Sequence, residues 1–181
     1  MSATASDIAR RLKAQERSPL VTALAVALAV ALIALLVVSW KWHAASARYH
    51  AEKDARKVAE ERTVQMLTWT SATLDDDAAW AKDGATEKFQ SDYDEYINNT
   101  RETYAALSAS SSGTVLASSP QASSSDKVAV TLYALQTVGQ GGSIQPTCVL
   151  SSIVLTMVHE DGDWLVDAPL EAPGAPVTVP C

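Results

Sequence analysis

The residues of this chain that could do chemistry are three histidines, two cysteines and a scatter of carboxylates. His159 stands beside Glu160, and an imidazole next to a carboxylate is the raw material of a general base or a metal ligand. His43 and His50 lie far upstream, and no spacing among the three closes a metal site. There is no Gly-rich phosphate loop and no nucleophile elbow. Three further acids, Asp163, Asp167 and Glu171, fall in a turn or a tail, where carboxylates are solvated. Asp75-Asp76-Asp77 has the composition of a calcium ligand set. It lacks the Gly and the distal Glu that an EF-hand loop needs, so it reads better as a helix end followed by a new N-cap. No catalytic, cofactor-binding or metal-binding residue is nominated, and the chain reads as a non-enzyme. An isomerase or dehydratase would need a buried acid or His among aromatic residues, and none stands out.

The cysteines point to redox compartment rather than catalysis. Cys148 lies in an expected strand and Cys181 is the last residue given. They are too far apart for a zinc pattern. Outside the cytoplasm they can form a disulfide that pins the Pro-rich tail back onto a sheet. Closing that loop is worth about 3–4 kcal/mol in the chain-entropy picture. Two unpaired thiols are the alternative.

What positions these groups begins with a membrane segment. Leu20 to Val38 reads LVTALAVALAVALIALLVV, nineteen residues without a charge, Gly or Pro. At about 1.5 Å rise per residue it spans a bilayer core as one helix. A cleaved signal peptide is the rival, and Ala45-Ser46-Ala47 resembles a small-residue cleavage site. The apolar run exceeds what a signal needs, and Trp40 and Trp42 suit the water–lipid boundary, so a retained anchor is expected. Arg10, Arg11, Lys13 and Arg17 precede it; Lys41, Arg48, Lys53, Arg56 and Lys57 follow it. The positive-inside count is therefore nearly balanced. The signal-anchor pattern places the N-terminus in the cytoplasm and the larger domain outside, because long C-terminal domains translocate largely regardless of charge.

Residues 43–73 are expected to continue as a stalk helix. Ala51, Ala55, Val58, Ala59, Met66 and Trp69 recur on roughly one face, and Glu52–Arg56 is a favourable i,i+4 pair. This stripe suits packing on the chain's own domain; a homo-oligomeric coiled coil is the sharper alternative. Residues 86–107 form a second helix, with Phe89, Tyr93, Tyr96, Ile97, Thr100, Tyr104 and Leu107 on a core face. The sequon Asn98-Asn99-Thr100 lies on it. The period then changes to two. Strands are expected at 114–119, stopped or bulged by Pro120, at 127–138, at 147–160 and from Trp164, with Asp161-Gly162-Asp163 as a tight turn. The fold class is α+β: a single N-terminal transmembrane helix, then helices packed on a curved, cone-like antiparallel sheet of about four strands. The expected divisions are a tail at 1–19, the span at 20–42, the stalk at 43–73, the cone at 74–171 and a Pro-rich tail at 172–181.

Charge excludes two partner classes. The net charge is −7, but residues 63–181 alone carry four basic and fifteen acidic side chains, or −11. Such a domain does not suit nucleic acid or an anionic lipid surface.

This layout resembles a family. A basic tail, one membrane helix, the TLDDD break, the helix FQSDYDEYINNTRETY, the strand start GTVLASSP and the ending TMVHEDGDWLVDAPLE are similar to the Mce-associated membrane proteins of mycobacteria and their relatives. The resemblance covers residues 20–171 and is strongest at Phe89–Tyr104, at Gly113–Ala117 and at Gly162, Trp164 and Leu165. The final Gly/Trp hairpin is shared by the wider superfamily of nuclear transport factor and ketosteroid isomerase. The resemblance implies an accessory role at a mammalian-cell-entry lipid importer in the inner membrane, with permease and Mce substrate-binding subunits as partners and no cofactor. It assigns no catalytic residues, and the Pro-rich tail and Cys181 depart from it. Two alternatives stand beside it. One is a lipid-binding cone with Trp69, Trp80, Phe89, Tyr93 and Trp164 lining an apolar pocket. The other is an assembly scaffold like the single-pass cone proteins of conjugation and secretion machines, which would self-associate without a lipid-transport partner.

Overall fold

The computed structural model describes residues 19–141, 145–167 and 175–181. The basic residues of the N-terminal tail and Glu171 lie outside them. The chain divides into two compact units, Met1–Ala45 and Ser46–Cys181.

Helix α1 is Pro19–Leu67, and the unit boundary falls within it. Pro at the first helical position loses no bond, since that N–H has no partner in a helix anyway. In the first unit the helix is exposed on all sides, with mean hydropathy 2.8 over an 18-residue window. It is long and apolar enough to cross a membrane.

In the second unit the same helix changes character. Ala51, Ala55, Ala59 and Thr63 lie four apart, so they share one face, and all are buried. Their small side chains let the helix lie close on the sheet, and the Thr63 hydroxyl donates to the Ala59 carbonyl at 2.7 Å. The stripe therefore packs on the chain's own domain.

The sheet curls into a half-barrel. Its strands are β1 (Trp69–Thr70), β2 (Ser110–Ala122), β3 (Lys127–Gly139), β4 (Thr147–Glu160), β5 (Asp163–Val166) and β6 (Val177–Val179). The order is β1-β2-β3-β4-β5, all antiparallel, with β6 also on β4. This is the expected α+β arrangement with two more strands. β1 and β6 are two and three residues long, too short for an alternating pattern to show. β6 lies in the Pro-rich tail, so that tail ends inside the sheet.

The core sits between α1 and the inner sheet face. Val128, Val130, Leu132 and Ala134 of β3 are fully buried, opposite Met157, Leu155 and Ile153 of β4. Each of the larger aliphatic side chains contributes about 1.5–3 kcal/mol by leaving water.

β2 does not stop at Pro120. The bulge lies earlier, between Val115 and Ala117, and Pro120 pairs with Val130. The Ala122 N–H points away from β3, onto Glu52 Oε1 at 2.9 Å. Residues two apart share that direction, so the missing N–H of Pro120 costs no ladder bond. Glu52 is thus taken by the strand, and Arg56 pairs instead with Glu60 at 2.9 Å. Glu60 also accepts the Ser118 hydroxyl. Eight helical residues and four strand residues both advance about 12–13 Å, so two carboxylates two turns apart meet the edge of β2 twice.

The short helices α2 (Leu74–Ala78) and α3 (Ala81–Gly84) follow β1. The aspartates are not the N-cap: Thr73 holds that position, and Asp75, Asp76 and Asp77 fill the first turn, where acids oppose the helix dipole. Helix α4 is Glu87–Ala106, capped by the Thr86 hydroxyl. It ends with Ser108 at φ 44°, the Ser108 N–H on Ala105 O and the Ala109 N–H on Tyr104 O, a Schellman closure with Ser in place of Gly. Asp161 and Gly162 have φ 51° and 99°, the type I′ hairpin turn that Asp-Gly favours.

Candidate functional site

An apolar hollow lies between α1, α4 and the inner sheet face. Its volume is about 410 Å³ and it is lined by Met66 and Leu67 of α1, Phe89, Asp92, Tyr93 and Tyr96 of α4, and Gln136 of β3. The size falls in the range of small-molecule sites.

Each element brings its residues for a local reason. Phe89, Tyr93 and Tyr96 follow at steps of four and three, so they stack along one face of α4, with Phe89–Tyr93 centroids 5.8 Å apart and Tyr93–Tyr96 6.4 Å. Trp80 backs this ladder, 5.4 Å from Tyr93 and 6.1 Å from Phe89. Gln136 has the inward parity of Ala134, and its amide donates to Ser111 Oγ at 2.8 Å. Ser111 in turn donates to the Leu67 carbonyl at 2.6 Å, which satisfies an orphan acceptor at the end of α1.

The electrostatics are mild. Burial pushes the Tyr93 phenol up, the nearby Trp80 indole offsetting this in part. Partial loss of water around its half-covered ring and the Tyr104 hydroxyl, 2.7 Å away, push Tyr96 well above its usual range. Both therefore stay neutral. Asp92 is the only charged residue of the lining, and Lys88 holds it at 2.8 Å. The arrangement can hold an uncharged, largely apolar molecule.

Of the five aromatics expected to share a pocket, only Phe89 and Tyr93 line this hollow. Trp80 is buried behind them. Among the described residues its indole N–H has no partner in hydrogen-bond geometry, and the Arg62 guanidinium carbon lies 6.0 Å from its ring centre. Trp69 is held away in β1, stacked on Tyr104 at 4.4 Å. Trp164 faces His159 at 5.1 Å on β4 and β5. Tyr96 and Leu107, expected in the core, are exposed. Sequence reasoning did not connect Met66, Leu67, Asp92, Tyr96 and Gln136 to the site. Gln136 carried a signal, a polar residue at an inward position of an alternating strand.

The remaining candidates stand apart. Asp163 is an exposed strand end, and Asp167 accepts the Thr86 hydroxyl at 3.3 Å and lies 3.7 Å from Lys127. Asp75 takes a two-pronged bond from Arg101 at 2.5 and 2.6 Å, which ties α2 to α4 and holds the carboxyl below its usual range. That pair borders a second, polar groove of about 380 Å³. Among the described residues no cluster of His, Cys, Asp and Glu is arranged for a metal. Cys148 and Cys181 are joined as a disulfide, Cα atoms 5.3 Å apart, beside the Cys148–Val179 pair of β4 and β6.

No protein-family model matches this chain, and no curated protein matches it.

Proposed function

We propose that this chain is a single-pass inner-membrane protein whose outer domain serves, without catalysis, as an accessory subunit of a Mce-type lipid-import complex. The observation that carries the reading is one helix, Pro19–Leu67, whose first part is an exposed apolar span and whose second part is core to an α+β domain. A folded domain built onto a membrane helix suits assembly and positioning. The disulfide suits an extracytoplasmic domain with a cytoplasmic N-terminus, because such bonds persist in oxidising compartments. The family resemblance supplies the partners: permease and Mce substrate-binding subunits.

The test is affinity capture of the tagged full-length protein from native membranes in mild detergent. Recovery of permease, ATPase and Mce subunits is the expected result. Recovery of the protein alone, or with secretion components, overturns it.

The hollow beside Tyr93 favours a second reading, in which the domain itself carries an uncharged lipid. Native mass spectrometry would then show one bound lipid per chain, reduced in a Tyr93→Ala variant. A ligand-free spectrum from gentle extraction refutes it.

A further inference from the structure

Strand β6 buries little against the domain. Among the described residues it pairs with β4 alone, through Cys148–Val179, Val149–Thr178 and Leu150–Val177. Val177 is 58% exposed, Thr178 is exposed and Val179 is only partly covered, so little apolar surface leaves water here. A strand this short opens locally unless something ties it down. The bond between Cys148 and Cys181 is that tie. Its two sulfurs sit in different surroundings. Cys181 is exposed, whereas Cys148 is 4% exposed. By strand period Cys148 shares a face of β4 with Leu150 and Val154, opposite the buried Ile153, Leu155 and Met157. Leu150 and Val154 are partly exposed, and Cys148 is sealed. The Thr137 hydroxyl flanks it at 3.5 Å, and the bonded tail lies on its other side. A thiolate arriving from water therefore meets Cys181 first, and exposed disulfides are the ones open to exchange.

We propose that this bond is a site of thiol–disulfide exchange and works as a latch on β6, opened by a dithiol reductant. One thiolate of the dithiol attacks Cys181 Sγ. The Cys148–Cys181 bond breaks, and Cys148 leaves as a thiolate that takes up a proton. The second thiolate of the dithiol then attacks its own sulfur in the mixed disulfide and releases Cys181, which is protonated in turn. The dithiol ends as a disulfide, and its two electrons end on the two cysteines as thiols. β6 then leaves its place. β3 and β4 stay together, because their register runs from Lys127–Val158 to Val138–Thr147 over fully buried side chains. Release uncovers Cys148 and opens the edge of β4 from Cys148 to Leu150. The domain thus presents a different surface in its two redox states. The inference goes beyond the accessory role and does not depend on which complex the protein joins.

The test uses the full-length protein in detergent, oxidised or treated with dithiothreitol in the absence of denaturant, with hydrogen exchange read by mass spectrometry. Reduction is expected to remove the protection of Val177–Val179 and of the β4 amides that face them, while Val128–Ala134 on β3 stay protected. A maleimide is expected to label both cysteines of the reduced, folded protein. Cys181→Ser is expected to show the open pattern without reductant; should that variant misfold, the reduced wild type decides. A β6 that keeps its protection after reduction overturns the proposal, since the bond would then be a staple only. A β3 that loses protection together with β6 overturns it as well, since the bond would then hold the whole domain. So does a bond that dithiothreitol opens only once urea has unfolded the protein.

Discussion

Gly113 is where the end of α1 meets β2, and replacing it with alanine tests that reading. A Cβ built on Gly113 would lie 2.3 Å from Leu67 Cβ and 2.9 Å from Leu67 Cδ1. Leu67 is buried, and it cannot retreat, because its carbonyl accepts Ser111 Oγ and Trp69 pairs with Ser111 two residues later. Gly113 does not have a left-handed φ, so the requirement is purely steric. Two effects oppose each other. Alanine stiffens the unfolded chain and suits a strand better than glycine, worth about 0.4–1 kcal/mol in favour. Overpacking against fixed backbone costs about 1–3 kcal/mol, occasionally more. The clash wins, and a net loss of about 1–2 kcal/mol is expected. The closest contact is with Cβ itself, so Leu67→Ala cannot relieve it; only Leu67→Gly removes that atom. Urea unfolding of the full-length protein in detergent, followed by near-ultraviolet ellipticity, measures both. A neutral or stabilising Gly113→Ala, or its rescue by Leu67→Ala, refutes the reasoning.

Cys181→Ser opens a loop with a sequence separation of 33, and should cost about 3–4 kcal/mol by the loop-entropy relation; a reductant should lower the wild-type melting temperature and leave the variant unchanged. The Ser118 hydroxyl, helped by Arg56, holds Glu60 below its ordinary 4.5 despite partial burial. That contribution is present above pH 4.5 and is lost as pH falls through the lower folded value, so the acid limb of a stability–pH curve should flatten in Glu60→Gln; an unchanged limb assigns the loss elsewhere. Ser108 sits at φ 44° in a closure that glycine fits better, so Ser108→Gly should stabilise by about 0.5–1 kcal/mol; a lower melting temperature would show that the Ser side chain is needed there.

Local patterns were legible wherever a period repeats. The apolar run of α1, the four-residue alanine steps after it, the aromatic steps of α4 and the Asp-Gly turn each declare themselves over neighbouring residues. β4 begins and ends where alternation places it, at Thr147 and Glu160. Two cysteines left one intrachain pairing to consider beside free thiols, and the structure joins them. Other features needed the fold. β1 and β6 exist because a longer strand lies alongside to pair with them. Glu52 chose the β2 edge over Arg56 because the strand brought an unpaired N–H to it. Five aromatics scattered along the chain looked like one pocket, yet packing sent Trp69 to Tyr104 and Trp164 to His159, and left Phe89 and Tyr93 with Gln136 from a strand more than forty residues away. Composition and periodicity are carried by neighbours in the chain, so the sequence by itself determined a helix long and apolar enough to cross a membrane, the α+β class and the acidity of residues 63–181. Which side chains share a cavity, and which sheet face stays uncovered, depends on contacts between distant segments, and only the tertiary structure decided those.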